Sequence, residues 1–425
     1  MIDRRRFIGG LGLATGLTAL PRMASARVRR GDWAAVRTLI DAWVAERKVP
    51  GLAAALGHGT DVADFLVAGR IANDSTRLVD ADSLFRVYSM TKPITGIAAM
   101  MLIEDGKLGL DQDLADFFPA YRAPMVAIDP EKSLDARPAT GRVTVRGLLT
   151  HTAGIGYVIT GKGALPTAFR EAGLTGGPVS RNAVPGFAPI TPAPDLTIFA
   201  ERLSALPLRF DPGTRWSYSA GLDLMGRVIE LASGMSFEMF LRRRLFEPLG
   251  MTSTFFSVPA SQLLRLTTNY GIAGTLKIAL DPGATSIFTD PVTLPLGGAG
   301  LVMSPRDYDR FLLMLAGRGA IGRTRVMKRE TVALAMSNLL PPSATTAGTS
   351  VAGQGFGAGG RVTLVAEPGG PGIGSFGWGG AAGTVAWLDP VRDIRASGFV
   401  QYMPDSAFPF RSEFAKRIYA ASPAA

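Results

Sequence analysis

Ser89 and Lys92 stand three residues apart in the run Leu84-Phe85-Arg86-Val87-Tyr88-Ser89-Met90-Thr91-Lys92-Pro93-Ile94-Thr95-Gly96. At that spacing a hydroxyl and an amine share one face of a helix, so the serine oxygen and the lysine nitrogen can meet. Such a pair offers nucleophilic catalysis. A serine hydroxyl is a weak nucleophile until a neighbour takes its proton, and a neutral amine can do so. Pro93 is tolerated only in a first helical turn, which places Ser89 at or just before a helix N-terminus. The helix dipole at that end disfavours an ammonium, and so does burial. Ile94, Ile97, Ala98, Met101 and Leu102 then keep the rhythm of a buried helix until Gly106 offers a stop. The spacing alone is a weak signal, because a tetrapeptide fixed at two positions arises by chance about once in a chain of this size.

Other chemistries have less to work with. The chain holds no cysteine, which excludes a disulfide framework, a thiol nucleophile and a thiolate metal site. Its two histidines, His58 and His151, give poor material for a metal centre and only two candidate bases for a Ser-His-Asp mechanism. His58 falls in or beside a polar turn, which explains it without chemistry. No G-x-S-x-G pentapeptide occurs, against an α/β-hydrolase nucleophile. The formal charge of +10 includes a net +3 in residues 1 to 26, leaving about +7 scattered mainly as single arginines. Without basic blocks interleaved with aromatics, that surface reads as solvated, and no nucleic-acid partner is expected.

The elements that must position Ser89 and Lys92 follow from the pattern on either side. With 425 residues the chain exceeds a usual single domain, and 47% hydrophobic against 19% charged residues allows a large core. Residues 1 to 26 read as an export signal: Arg4-Arg5-Arg6-Phe7-Ile8, a short Gly/Ala-rich apolar run, then Ala24-Ser25-Ala26. The Arg-Arg-x-Phe-Ile pattern resembles the twin-arginine signal, which implies an exported, periplasmic protein with no stable membrane span after cleavage. Asp32 is placed to cap a helix with Val36, Leu39, Ile40, Trp43 and Val44 on its apolar face. Residues 52–56 and 62–68 read as a hairpin, and 361–365, 383–388 and 394–402 as strands. Tyr308, Phe311, Leu312 and Leu315 mark another helix, and Phe410, Phe414 and Ile418 a last one. Strands at both ends with helices between predict an α/β (α+β) sandwich, an antiparallel sheet flanked by helices. The expected division is 27–106 plus 291–425 as the α/β part, with 107–290 an inserted, mostly helical domain. Within it 124–200 is an irregular region of the kind that shapes a site. A helix is expected over 220–233, with Leu222, Leu224, Met225, Val228, Ile229 and Leu231 apolar and Gly234 as its stop.

Two further motifs change the weight of the first. Trp216-Ser217-Tyr218-Ser219-Ala220 precedes that helix, and Ser375-Phe376-Gly377-Trp378-Gly379-Gly380-Ala381-Ala382-Gly383-Thr384 leads into a strand. Alone, Tyr218 reads first as a core aromatic with a solvated hydroxyl and the glycine run as a simple turn, although its glycines permit the backbone N–H of Ala381 to approach a bound carbonyl. In this order and at these separations the three motifs resemble the serine β-lactamase and penicillin-binding-protein superfamily, over roughly residues 33 to 420. Leu148-Leu149-Thr150-His151-Thr152-Ala153-Gly154, Phe210-Asp211-Pro212-Gly213-Thr214 and Gly297-Gly298-Ala299-Gly300-Leu301-Val302 extend the resemblance. Within the superfamily the chain resembles the class C β-lactamase-related branch, which also holds esterases and acyltransferases. The resemblance implies the β-lactamase/transpeptidase-like sandwich with a helical domain. It implies Ser89 as nucleophile, Lys92 and Tyr218 as the proton-handling pair, and the N–H groups of Ser89 and Ala381 as the oxyanion hole. His151 is then structural, and the chemistry needs no metal or organic cofactor.

Departures from the class C pattern point to the substrate. Where those β-lactamases carry asparagine after the tyrosine and serine, this chain has Ala220. Where their third motif begins with lysine, it has Trp378. A site without that amide and that cation has lost its grip on an anionic, amide-bearing substrate. Trp378 with Gly379 and Gly380 offers instead an apolar wall with room for an acyl or alkoxy group. The expected partner is therefore a small-molecule ester or amide. Ester hydrolysis through a Ser89 acyl-enzyme is favoured over a β-lactamase, D-amino peptidase or amide hydrolase, and over a dedicated acyltransferase. A non-catalytic binding descendant is disfavoured, since binding alone has no need of Ser89, Lys92 and Tyr218 together.

Overall fold

Side chains of Gly51–His58 alternate between two apolar cores. Leu52, Ala54 and Leu56 enter one, while Ala53 enters the other. That two-sided burial requires layers on both faces of a sheet. The computed structural model, which describes residues 33–182, 190–366 and 368–420, supplies them. Its main sheet is antiparallel with seven strands in the order Gly355–Phe356, Arg361–Val362, Phe376–Gly379, Val385–Asp389, Ile394–Phe399, Gly51–His58, Asp64–Gly69. Strands from the two ends of the sequence meet where Ala53 pairs with Phe399. On one face lie the helices Ala34–Ala45 and Phe410–Tyr419, which pack Trp43, Phe410 and Phe414 against Trp387 and Ile394. On the other face, Pro305–Ala316 and Thr91–Glu104 pack against Ala386, Leu388 and Phe399. The fold is the α/β sandwich that the sequence predicts.

Several boundaries differ from expectation. The strand expected over 394–402 ends at Phe399, and Tyr402–Met403 joins a separate sheet beside Asn269–Ala273 and Leu276–Asp281. The 361–365 strand shortens to Arg361–Val362, leaving Leu364 and Val365 exposed. Asp32 and the signal-like residues 1–26 lie outside the described residues. Trp33 occupies the N-cap position, with its ring stacked on His58 at the end of the first strand. The 107–290 segment holds the helices Val145–Thr150, Ala164–Glu171, Leu196–Ser204, Gly221–Ser233 and Phe237–Leu241. It also holds strands that pair outside it: Thr254–Phe255 joins Val302–Met303, which joins Phe85–Arg86.

The Phe85–Arg86 strand leads directly into the Ser89 turn and is pinned by charge. Arg86 has no exposed surface, and its guanidinium donates to Asp281 Oδ2 at 2.6 Å, Asp281 O at 3.1 Å and Ser286 Oγ at 3.0 Å. Asp281 also accepts from Ser286 Oγ at 2.6 Å and Ile287 N at 3.0 Å. A buried pair adds little net stability against its desolvation, but removing one partner strands the other charge. Asp281→Ala is therefore expected to cost about 3–5 kcal/mol in urea unfolding. Breaking the exposed Arg242–Glu247 pair should leave the unfolding midpoint nearly unchanged.

Candidate active site

Ser89 sits in a single 3₁₀ turn, Tyr88–Met90, that runs into the Thr91–Glu104 helix. The helix is buried on every face from Thr91 to Leu102, more completely than its apolar rhythm requires, because it forms the centre of the molecule. Tyr88 enters the turn at φ 42°, a left-handed conformation that is costly for a bulky residue. Its ring is held among Leu84, Val258, Leu266 and Phe288, and this packing fixes the strained turn that presents the half-buried Ser89.

Lys92 is fully buried. Its Nζ donates to Gly298 O at 2.8 Å and lies 3.5 Å from Ser89 Oγ, at the limit of a hydrogen bond. The same nitrogen stands over the rings of Tyr218 at 4.5 Å and Tyr157 at 5.5 Å. Tyr218, from the loop before Gly221–Ser233, donates its hydroxyl to Ser89 Oγ at 2.8 Å. Trp378 Nε1 in turn reaches Tyr218 Oη at 3.3 Å, with the two rings tilted together. Trp378 was expected as an apolar wall; it also supplies a donor to the oxygen that handles the proton.

The third motif reaches the nucleophile because Gly380 lacks a side chain: a Cβ there would overlap Val87 O, two residues before Ser89. Gly380 N donates to Thr384 O at 2.8 Å and Gly383 N to Gly380 O at 3.0 Å, closing a turn that does not use the Ala381 N–H. Arg411 braces the turn from behind through Gly380 O, Thr384 O and a 2.5 Å pair with Asp405. The turn therefore lies against the backbone just before the 3₁₀ turn of Ser89.

His151 makes no hydrogen bond to Ser89 or Lys92 among the described residues. Its Nδ1 meets Ser219 Oγ at 2.8 Å and accepts from Ser219 N at 3.2 Å, while its ring packs 4.8 Å from that of Tyr218. Burial holds its pKa well below the ordinary value, assisted by the charge of Lys92, so the ring is a neutral support for the tyrosine. Two residues that sequence reasoning passed over also enter the site. Asp223 is fully buried on the Gly221–Ser233 helix and accepts Gly298 N at 2.7 Å. Burial raises its carboxyl to about 6, against the lowering effects of the Lys92 charge and the Gly298 N–H. Tyr157 faces that carboxylate, and burial pushes its phenol well above the ordinary range. The signal for Asp223 was present in the sequence: a charge between Leu222 and Leu224 on a helix with little polar surface there. Leu231, counted with the apolar residues of that helix, is exposed.

As arranged, the site can deliver a serine oxygen to a carbonyl carbon and pass its proton to an amine or phenol. The Beta-lactamase family model matches residues 36–419, and the chain belongs to that family. It is 31% identical over 336 residues to an uncharacterized protein of Mycobacterium tuberculosis, covering 76% of this chain and 79% of that one. It is 27% identical over 369 residues to esterase EstB of Burkholderia gladioli, covering 83% and 86%. Among solved structures, EstCE1, described as a hydrolase with promiscuous acyltransferase activity, superposes with a TM-score of 0.74 at 22% identity. That match covers 91% of this chain and 98% of EstCE1.

Replacing Trp378 with phenylalanine keeps the ring and removes the donor to Tyr218. The expected result is a fall in kcat for a p-nitrophenyl ester of about three- to tenfold, the worth of one such hydrogen bond, with KM little changed. A change in KM alone would mean that Trp378 only lines the pocket.

Proposed function

We propose that this protein is a serine hydrolase that cleaves carboxylic esters through an acyl-enzyme on Ser89. The observation that carries the reading is the convergence of Lys92 and Tyr218 on one serine oxygen, at 3.5 and 2.8 Å, from two separate elements. Ser89 Oγ bonds to the ester carbon as its proton passes to Lys92. The proton then travels through Tyr218 to the alkoxide oxygen as the C–O bond breaks. Water attacks the Ser89 ester along the same path in reverse and releases the acid.

The preference for esters over β-lactams rests on what surrounds the serine. Ala220 is buried and carries no amide, and Trp378 stands where a lysine would anchor a carboxylate. The nearby cation of Arg411 is spent on two carbonyls and Asp405, so it is not free to take that role. The esterase name of the Burkholderia gladioli relative agrees with this reading. Purified protein should hydrolyse short-chain p-nitrophenyl esters, Ser89→Ala should abolish this, and nitrocefin should turn over far more slowly. Ester cleavage surviving in Ser89→Ala would refute the nucleophile, and nitrocefin turnover matching the ester rate would refute the substrate class.

Export to the periplasm through a twin-arginine-type signal is part of the proposal, supported by Arg4-Arg5-Arg6-Phe7-Ile8 and Ala24-Ser25-Ala26. Replacing Arg4 and Arg5 together with lysine should leave uncleaved precursor in the cytoplasm, read by cell fractionation. Unaltered periplasmic recovery would contradict a twin-arginine route. No helix among the described residues is long and apolar enough to cross a membrane.

A further inference from the structure

Asp223 is a carboxylate with no exposed surface, on a helix whose neighbouring positions are apolar. Burying a carboxylate costs several kcal/mol unless something compensates it, so its retention here calls for a reason. Its Oδ1 accepts Gly298 N at 2.7 Å, while the carbonyl of the same glycine accepts Lys92 Nζ at 2.8 Å. One residue thus joins the carboxylate to the amine. A Cβ at position 298 would stand 2.6 Å from the carboxylate, so glycine is what lets the two come together. Asp223 Oδ2 has no hydrogen-bond partner among the described residues. The groups facing the carboxylate are Lys92 from the nucleophile helix, Tyr157 from the loop after Val145–Thr150, and the Gly298 N–H. The Tyr218 ring packs 5.6 Å from that of Tyr157, and His151, neutral through burial, adds no charge.

We propose that Asp223 is a positioning residue for the reaction: through Gly298 it holds Lys92 on Ser89, and its carboxylate stabilises the ammonium that forms when Lys92 takes the serine proton. This rests on the assignment of Ser89 as nucleophile. During acylation the proton moves from Ser89 Oγ to Lys92 Nζ as the Oγ–C bond forms. A cation then appears on an amine with no exposed surface, where a fixed negative group is worth more than in solvent. When Asp223 is protonated that support is lost, so acylation weakens as the pH falls through the carboxyl's raised pKa, about 6 with Lys92 charged.

The test reads Ser89 reactivity directly, as the rate of labelling by a fluorophosphonate followed by mass spectrometry from pH 4.5 to 8.5. Wild type, Asp223→Asn and Asp223→Glu are compared. Asparagine keeps an oxygen for the Gly298 N–H and removes the charge. Its labelling is expected to slow at least about tenfold at pH 8, with loss of the acid limb near pH 6, and glutamate should recover part of the rate. Folding is read alongside by thermal unfolding at pH 8. A raised carboxyl pKa means the native state binds the proton more tightly than the unfolded chain, so stability falls as pH rises to about 6. Removing the charge should therefore leave the pH 8 midpoint no lower than wild type. Wild-type labelling rates and pH profile in Asp223→Asn would overturn the proposal, as would a rate loss explained by an equal loss of folded protein. Absence of labelling in wild type would instead overturn the Ser89 assignment, and this inference with it.

Discussion

A lysine amine with no exposed surface is the constraint on which the site depends. Burial of Lys92 is tolerable only if its hydrogens are met inside the protein. The partners come from everywhere: Ser89 on its own turn, Gly298 O from the loop before Val302–Met303, and the ring faces of Tyr218 and Tyr157 from the inserted segment. Elements distant in sequence are therefore tied to one nitrogen, and the fully buried Thr91–Glu104 helix is the post around which they assemble.

The scaffold around that post is stiff for identifiable reasons. The seven-stranded sheet is covered on both faces, so the nucleophile helix cannot shift without disturbing the core that holds Phe399 and Leu388. Buried ion pairs tie Arg86 of the Phe85–Arg86 strand to Asp281 at the end of Leu276–Asp281, and Arg395 of Ile394–Phe399 to Asp309 on the Pro305–Ala316 helix. They specify position more than they add stability. Glycine at 298 leaves room for the Asp223 carboxylate, and glycine at 380 lets its turn lie against Val87 O. Precision at the serine comes from packing, and its electrostatics from groups placed by that packing.

Much of this was legible in the sequence because it is local or periodic. Pro93 located the start of the helix, apolar spacing identified the helices carrying Trp43, Phe311 and Phe414, and the runs 52–56 and 62–68 on either side of a Gly-rich turn marked the hairpin that the structure builds from Gly51–His58 and Asp64–Gly69. Less legible was whatever depends on distant chain. The end of the strand at Phe399 is set by Tyr402 pairing with Tyr270 in another sheet, which no window around residue 400 reveals. Trp378 as a donor to Tyr218, and Asp223 as a partner of Gly298, both require knowing which backbone lies opposite. Among the candidate site residues, Ser89, Lys92, Tyr218 and Trp378 are brought together, and the turn bearing Ala381 lies against Val87. His151 stands behind the tyrosine.

The central claim is that hydrolysis proceeds through a covalent ester on Ser89. It is tested most directly by acid-quenching the enzyme during turnover of a slowly hydrolysed ester and measuring the intact mass, then mapping the modified peptide. One added acyl group is expected on the peptide containing Ser89, disappearing once substrate is consumed. Turnover without any acylated enzyme, or an acyl group carried stoichiometrically on a different residue, would contradict it.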